Sequence, residues 1–202
     1  MTQVPPFIGI DGCPRGWIAI GLEQEGFRAA FLAPTFAALM ERIEAAEVIA
    51  VDIPIGLTDS GFRDADLAVR AFLKRRASSL FTTPPRSVLE VDDYAEACEV
   101  SRKLTGKAFS RQSWGLKKKV MEVDSFIDDT RLSEVHPELS FRIMAEQTLT
   151  YSKKTWGGQQ ERRRLLESVG VRVPDDLGEA DLAGPDDVLD AAAAAWTARR
   201  IA

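Results

Sequence analysis

Residues 7–33 read FIGIDGCPRGWIAIGLEQEGFRAAFLA, and the punctuation of this stretch decides the fold. Three apolar, roughly alternating runs are separated by CPRG and QEG, a pattern that predicts strands joined by hairpins. The first run, Phe7–Asp11, reads as a short buried strand, and residues 17–24 and 26–33 continue it as an antiparallel meander. TFAALMERIEAA, residues 35–46, has helical spacing with Thr35 as a cap. EVIAVDIP supplies a fourth strand over Val48–Asp52. A helical crossover between parallel strands is right-handed, which puts the later strands beside the first. The expected architecture is α/β: a mixed five-stranded sheet of order 3-2-1-4-5 with flanking helices, strands 4 and 5 running parallel to strand 1.

The fifth strand comes late. Residues 56–130 read as a mostly helical insertion between strands 4 and 5, with helices over 62–76, 92–106 and 113–130. SSLFTTPPRS, residues 78–87, is a loop because its two prolines forbid regular structure. RLSEVH, residues 131–136, is the fifth strand, and Pro137 opens the helix after it. A short amphipathic helix ends at Gly170, residues 173–185 form a loop, and the chain closes on the helix DDVLDAAAAAWTARR. A length of 202 residues suits a single domain over 1–202, with 56–130 inserted in it.

Composition narrows the function. A hydrophobic share of 45% is enough for a core without disulfide staples. The net charge of −5 excludes a broadly basic nucleic-acid binder, so any phosphate-binding surface is a local patch. Cys13 and Cys98 fit no metal spacing and imply reduced thiols in the cytoplasm. The first residues lack the pattern of a signal peptide, and no apolar run approaches transmembrane length, so no membrane association is expected.

The acids fall in a pattern. Asp11 ends strand 1 and Asp52 ends strand 4. Parallel neighbours lie about 4.8 Å apart, so the two carboxylates meet at one sheet edge, repel, and are relieved by a divalent cation. Ligands of open α/β sheets also bind beyond the carboxyl ends of strands. Taken singly, each aspartate also reads as a turn residue. In the last helix Asp187 and Asp190 share a face that continues through Ala191, Ala194 and Ala198. Those alanines let the helix approach the sheet closely. Asp186 reads as the helix cap, and Asp187 as a residue that serves the helix start and a metal together. Asp190, one turn inside, is explained by neither capping nor the dipole.

Together, FIGIDGCPRGWIAI, VDIPIGL, KRRASSLFTTPPR, SWGLKKKVMEVD, EVHPELSF, KKTWGG and DDVLDAAAAAWTARR resemble domain of unknown function family 429, over nearly the whole chain. That family is described as predicted nucleases of the RNase H-like fold. The acids also resemble those of RNase H-like Holliday-junction resolvases, with one on strand 1, one on strand 4 and two on the last helix. The resemblance makes Asp11, Asp52, Asp187 and Asp190 the candidate catalytic metal ligands. Asp52 stands where those resolvases carry a glutamate, and its shorter reach implies a looser geometry or a single metal.

Oxygen ligands of this kind suit Mg²⁺ or Mn²⁺. Two ions about 3.5–4 Å apart would clamp the attacking water and the leaving oxygen of a phosphodiester, with Asp11 bridging them. His136, the only histidine, reads either as a proton shuttle or as a structural strand-end residue. Glu138 reads as catalytic or as part of a helix start. Among local basic groups, Arg76, Arg86, Lys118 and Lys154 are candidates for nucleic-acid substrate binding, while Arg162–Arg164 read as a solvated helix face. The leading expectation is a divalent-metal-dependent nuclease acting on DNA or RNA. The alternatives are a catalytically silent binding or regulatory protein of the same fold, and an enzyme acting on a small phosphorylated or nucleotide substrate.

Overall fold

A computed structural model describes residues 3–73 and 82–202. In chain order the elements are β1 (Phe7–Cys13), β2 (Gly16–Glu23), β3 (Gly26–Ala33), α1 (Phe36–Arg42), β4 (Val48–Val51), α2 (Asp64–Leu73), α3 (Arg86–Glu90), α4 (Tyr94–Thr105), α5 (Arg111–Gly115), α6 (Lys117–Asp124), β5 (Leu132–Glu134), α7 (Pro137–Ala145), α8 (Trp156–Ser168) and α9 (Pro185–Ile201). The chain divides into two compact units, Met1–Ile53 with Asp128–Ala202, and Pro54–Ile127.

The first unit is built on one sheet of order β3-β2-β1-β4-β5. β1, β2 and β3 pair antiparallel, while β4 lies parallel to β1 and β5 parallel to β4. This is the order expected from the hairpin punctuation and the crossover rule, and it matches the RNase H-like arrangement that the resemblance implies. β1 runs two residues further than expected, because Cys13 pairs with Gly16 to close a tight hairpin. β5 is shorter than RLSEVH, because His136 already caps α7 and Pro137 occupies its first turn.

Alternation along the strands separates two cores. Trp17 packs edge-on against Phe36 of α1, with ring centroids 5.0 Å apart. Ile18, Ile20 and Leu22 join α9 in the opposite core, together with Phe7 of β1 and Ala50 of β4. Every second residue of β1 therefore faces α9: Phe7, Gly9, then Asp11. Gly9 is required there. A Cβ added to it would lie 1.9 Å from the Ala195 nitrogen and 2.2 Å from the Ala191 oxygen. The strip of alanines on α9 thus meets a strand with no side chain at the crossing point, and Ala191, Ala194, Ala195 and Ala198 are fully buried.

α9 starts two residues earlier than its acids suggest. Gly184 is the N-cap and Pro185 the first helical residue, so the expected cap Asp186 lies inside the helix and is buried. Residues 173–185, expected as plain loop, contain a 3-10 helix at Gly178–Leu182.

The second unit is helical. Arg63 pairs with Asp66 at 2.9 Å and donates to the carbonyls of Ile55 and Gly56, and the second Asp66 oxygen accepts the Thr83 N–H. The helix expected over 113–130 is broken at Leu116 into α5 and α6, after the weak helix former Gly115. Tyr94, Phe109 and Trp114 form an aromatic cluster. Among the described residues no helix is long and apolar enough to cross a membrane.

Candidate metal centre

Three elements bring one aspartate each to the carboxyl edge of the sheet. The parallel register Gly9–Ala50 and Ile10–Val51, carried one residue further, sets Asp52 beside Asp11. The Asp52 N–H donates to the Ile10 carbonyl at 3.0 Å and continues the ladder past the end of β4. Asp11 and Asp52 follow Gly9 and Ala50 in the alternation, so both point to the α9 side. There Asp190 sits one residue before Ala191, at the closest crossing of α9 and β1. One carboxylate oxygen from each of Asp11, Asp52 and Asp190 lies within 4.8 Å of the other two.

These groups are largely dry. Asp11 is 8% exposed and Asp190 2% exposed. Burial, reinforced by the charges of Asp52 and Asp190, holds the Asp11 carboxyl well above the usual carboxylate range, with Lys153 opposing. Burial and the Asp190 charge push Asp52 up to about 8. Burial also raises Asp190, against the pull of Lys153. Asp190 Oδ2 accepts a hydrogen bond from Lys153 Nζ, whereas Asp190 Oδ1 is buried without a hydrogen-bond partner. Such an orphaned oxygen costs about 1–3 kcal/mol unless a ligand takes it. The donor set is all oxygen, which fits a hard divalent cation.

A family model described as "Protein of unknown function (DUF429)" matches residues 9–202. The chain belongs to that family. Comparison of this DUF429 chain with curated proteins and with solved structures gives no match.

The fourth expected ligand, Asp187, contacts the start of its own helix. The Gly184 N–H donates to the Asp187 carboxylate, the reach-back of a third helical residue to the cap. Burial and the neighbouring Asp186 raise its carboxyl, while Lys154 and Lys153 oppose. Asp187 stands outside the three-carboxylate set. Lys154, expected to bind substrate, pairs with Asp186.

Lys153, not singled out by the sequence, is the cation inside the cluster. Burial works against its charge, but Asp190, Asp11 and Asp52 outweigh that and hold the ammonium above its ordinary value. Its loop is tied down on both sides. The Glu161 carboxylate accepts the N–H groups of Thr150 and Tyr151. The Ser152 carbonyl rests on Gly158, where a Cβ would lie 1.9 Å from the Ser152 oxygen.

Glu138 lies in the first turn of α7 and forms an ion pair with Arg162. Arg162 is fully buried, which corrects its reading as part of a solvated face. It stands four residues after Gly158 and four before Leu166, both buried, so helical spacing carries the signal. His136 is the N-cap residue of α7. In the second unit Arg86 makes a two-pronged pair with Asp124, and Lys118 is exposed with Glu122 at 3.9 Å. Arg76 lies outside the described residues.

Proposed function

We propose that this chain is a divalent-metal-dependent nuclease hydrolysing phosphodiester bonds of nucleic acid. The observation that carries the reading is the buried carboxylate set Asp11, Asp52 and Asp190, with one Asp190 oxygen unpartnered. These three residues would hold Mg²⁺ or Mn²⁺. When bound, such an ion supplies Lewis acidity and makes a nucleophile of water at neutral pH. The chain's own part is to fix the carboxylates on three rigid elements and keep bulk water from two of them. Lys153 adds a positive charge where phosphate oxygens would lie. His136, at the start of α7, is the nearest candidate in the chain order for moving a proton to or from the edge of the sheet. Glu138, bound to Arg162, acts by position.

A nucleic-acid substrate is supported by the segment that follows Lys153. Lys154 presents a largely exposed stem, and Trp156 is 76% exposed at the start of α8. An exposed indole beside lysines suits base stacking and a phosphate chain. A cytoplasmic location belongs to the same proposal, with Cys13 and Cys98 both buried thiols.

The test is a panel of single-stranded, duplex, branched and hybrid nucleic acids, with mononucleotides, in Mg²⁺ and in Mn²⁺. Cleavage by the wild type that Asp11→Asn and Asp190→Asn both abolish is the expected result. Cleavage surviving both substitutions would remove the site. Turnover confined to mononucleotides would move the substrate class to small phosphorylated molecules, which the net charge of −5 does not repel more than it does a polymer.

A further inference from the structure

We propose that the centre takes a single divalent cation and that the Lys153 ammonium provides the second positive charge, in the place a second ion has in two-metal sites. The inference rests on the metal-dependent reading above and narrows it.

Ligand supply is the first argument. A two-ion site needs carboxylate oxygens to spare. Here Asp187 holds the N–H of Gly184 and Asp186 holds Lys154, so the acids in the first turn of α9 are engaged in the helix start and the adjoining loop. One oxygen of Asp190 is engaged by Lys153, leaving its other, unpartnered oxygen as the one that can turn to an ion.

Charge is the second. Asp11, Asp52 and Asp190 together carry three negative charges when ionised. One divalent ion and Lys153 carry three positive charges between them. Two divalent ions with Lys153 still in place would leave the pocket two charges positive, and an unbalanced buried charge costs several kcal/mol.

Third, Lys153 is built in rather than draped over the site. Its side chain is 34% exposed, and its partner Asp190 is 2% exposed. The carbonyl before it is wedged on Gly158, and Thr155, two residues on, caps α8 by accepting the Gly158 N–H at 3.1 Å. A lysine held this way keeps its ammonium at the cluster whether or not a substrate is present.

The experiment is calorimetric titration of the full chain with Mn²⁺, joined to electron paramagnetic resonance of the bound ion. Wild type is expected to bind one Mn²⁺ with no Mn–Mn coupling. Lys153→Met, which frees the second Asp190 oxygen, is expected to admit a second Mn²⁺ with a coupled signal, and Lys153→Arg to bind one. Two coupled ions in the wild type, or an unchanged single site in Lys153→Met, would overturn the inference and leave the metal-dependent reading standing. No Mn²⁺ bound by the wild type would overturn both. Two coupled ions in the wild type would overturn the inference even if a variant does not fold, and Lys153→Gln then replaces Lys153→Met in testing the part assigned to the ammonium.

Discussion

Replacing Gly9 by alanine tests whether packing sets the chemistry. The new Cβ would meet the Ala195 nitrogen at 1.9 Å, the Ala191 oxygen at 2.2 Å and the Ala194 carbonyl carbon at 2.6 Å. All three are backbone atoms, so no rotamer change relieves the clash. Ordinary contact begins near 3.4 Å, so α9 would have to retreat from β1 by about 1.5 Å. Overpacking of this kind costs ~1–3 kcal/mol, and here the upper end or more is expected, a large part of a typical stability of ~5–15 kcal/mol. The second effect is chemical. Asp190 adjoins Ala191, and metal–ligand distances tolerate only about 0.2 Å, so the retreat separates Asp190 from Asp11 by far more than an ion accepts. Urea unfolding followed by circular dichroism measures the first effect, and Mn²⁺ titration of the folded fraction measures the second. A loss of at least ~3 kcal/mol and at least tenfold weaker Mn²⁺ binding are expected. Gly115→Ala is the control, with nothing within 4 Å of its added Cβ, and helix propensity predicts a change between zero and a gain of ~1 kcal/mol. Gly9→Ala with wild-type stability and wild-type Mn²⁺ affinity would refute the argument.

Two further outcomes follow from the electrostatics. Asp52 titrates near 8 in the folded chain against 3.8 in the unfolded one, so between those values the native state holds a proton that the unfolded state has released. Its contribution is therefore complete below the unfolded value and is lost as pH rises, by up to ~1.4 kcal/mol per pH unit, with Asp11 and Asp190 acting in the same direction. Urea unfolding in chelator between pH 5 and pH 8 checks the sign, and metal-free stability that climbs over this range would contradict it. Arg162→Met leaves Glu138 without its buried partner and is expected to cost ~3–5 kcal/mol by the same unfolding assay. A change below ~0.5 kcal/mol, as at an ordinary surface site, would restore the solvated-face reading.

The sheet was legible because its signals are local: turn residues between alternating runs, then a helical crossover of fixed hand. Asp190 was legible by exclusion, since neither capping nor dipole explains an acid one turn inside a helix. Asp186 was misread because a pair of aspartates before an apolar run imitates a cap, although Pro185 at the first helical position moves the cap back to Gly184. Lys153 and Lys154 show a harder limit. They are adjacent and lie outside regular structure, where no period tells which ammonium turns inward. The outcome depends on how the Ser152 carbonyl seats against Gly158, and a sequence pattern does not encode that contact.

Among the described residues the acid cluster differs in kind from the one-to-one ion pairs. Arg162 with Glu138, Arg63 with Asp66, Arg86 with Asp124 and Arg131 with Asp129 each match one cation to one carboxylate, as a structural ion pair requires. Asp11, Asp52 and Asp190 share one ammonium among three carboxylates, at the point where α9 and β1 come closest. Apolar side chains would stabilise that position better in the free chain, because burial raises all three carboxyls, and the Lys153 ammonium and the Gly12 N–H offset only part of that cost. A divalent cation, as proposed above, would offset the remaining negative charge. On that proposal, stability in the free chain and affinity for the cation oppose each other at the same three residues, the relation expected of a binding centre and the reverse of that expected of a structural network.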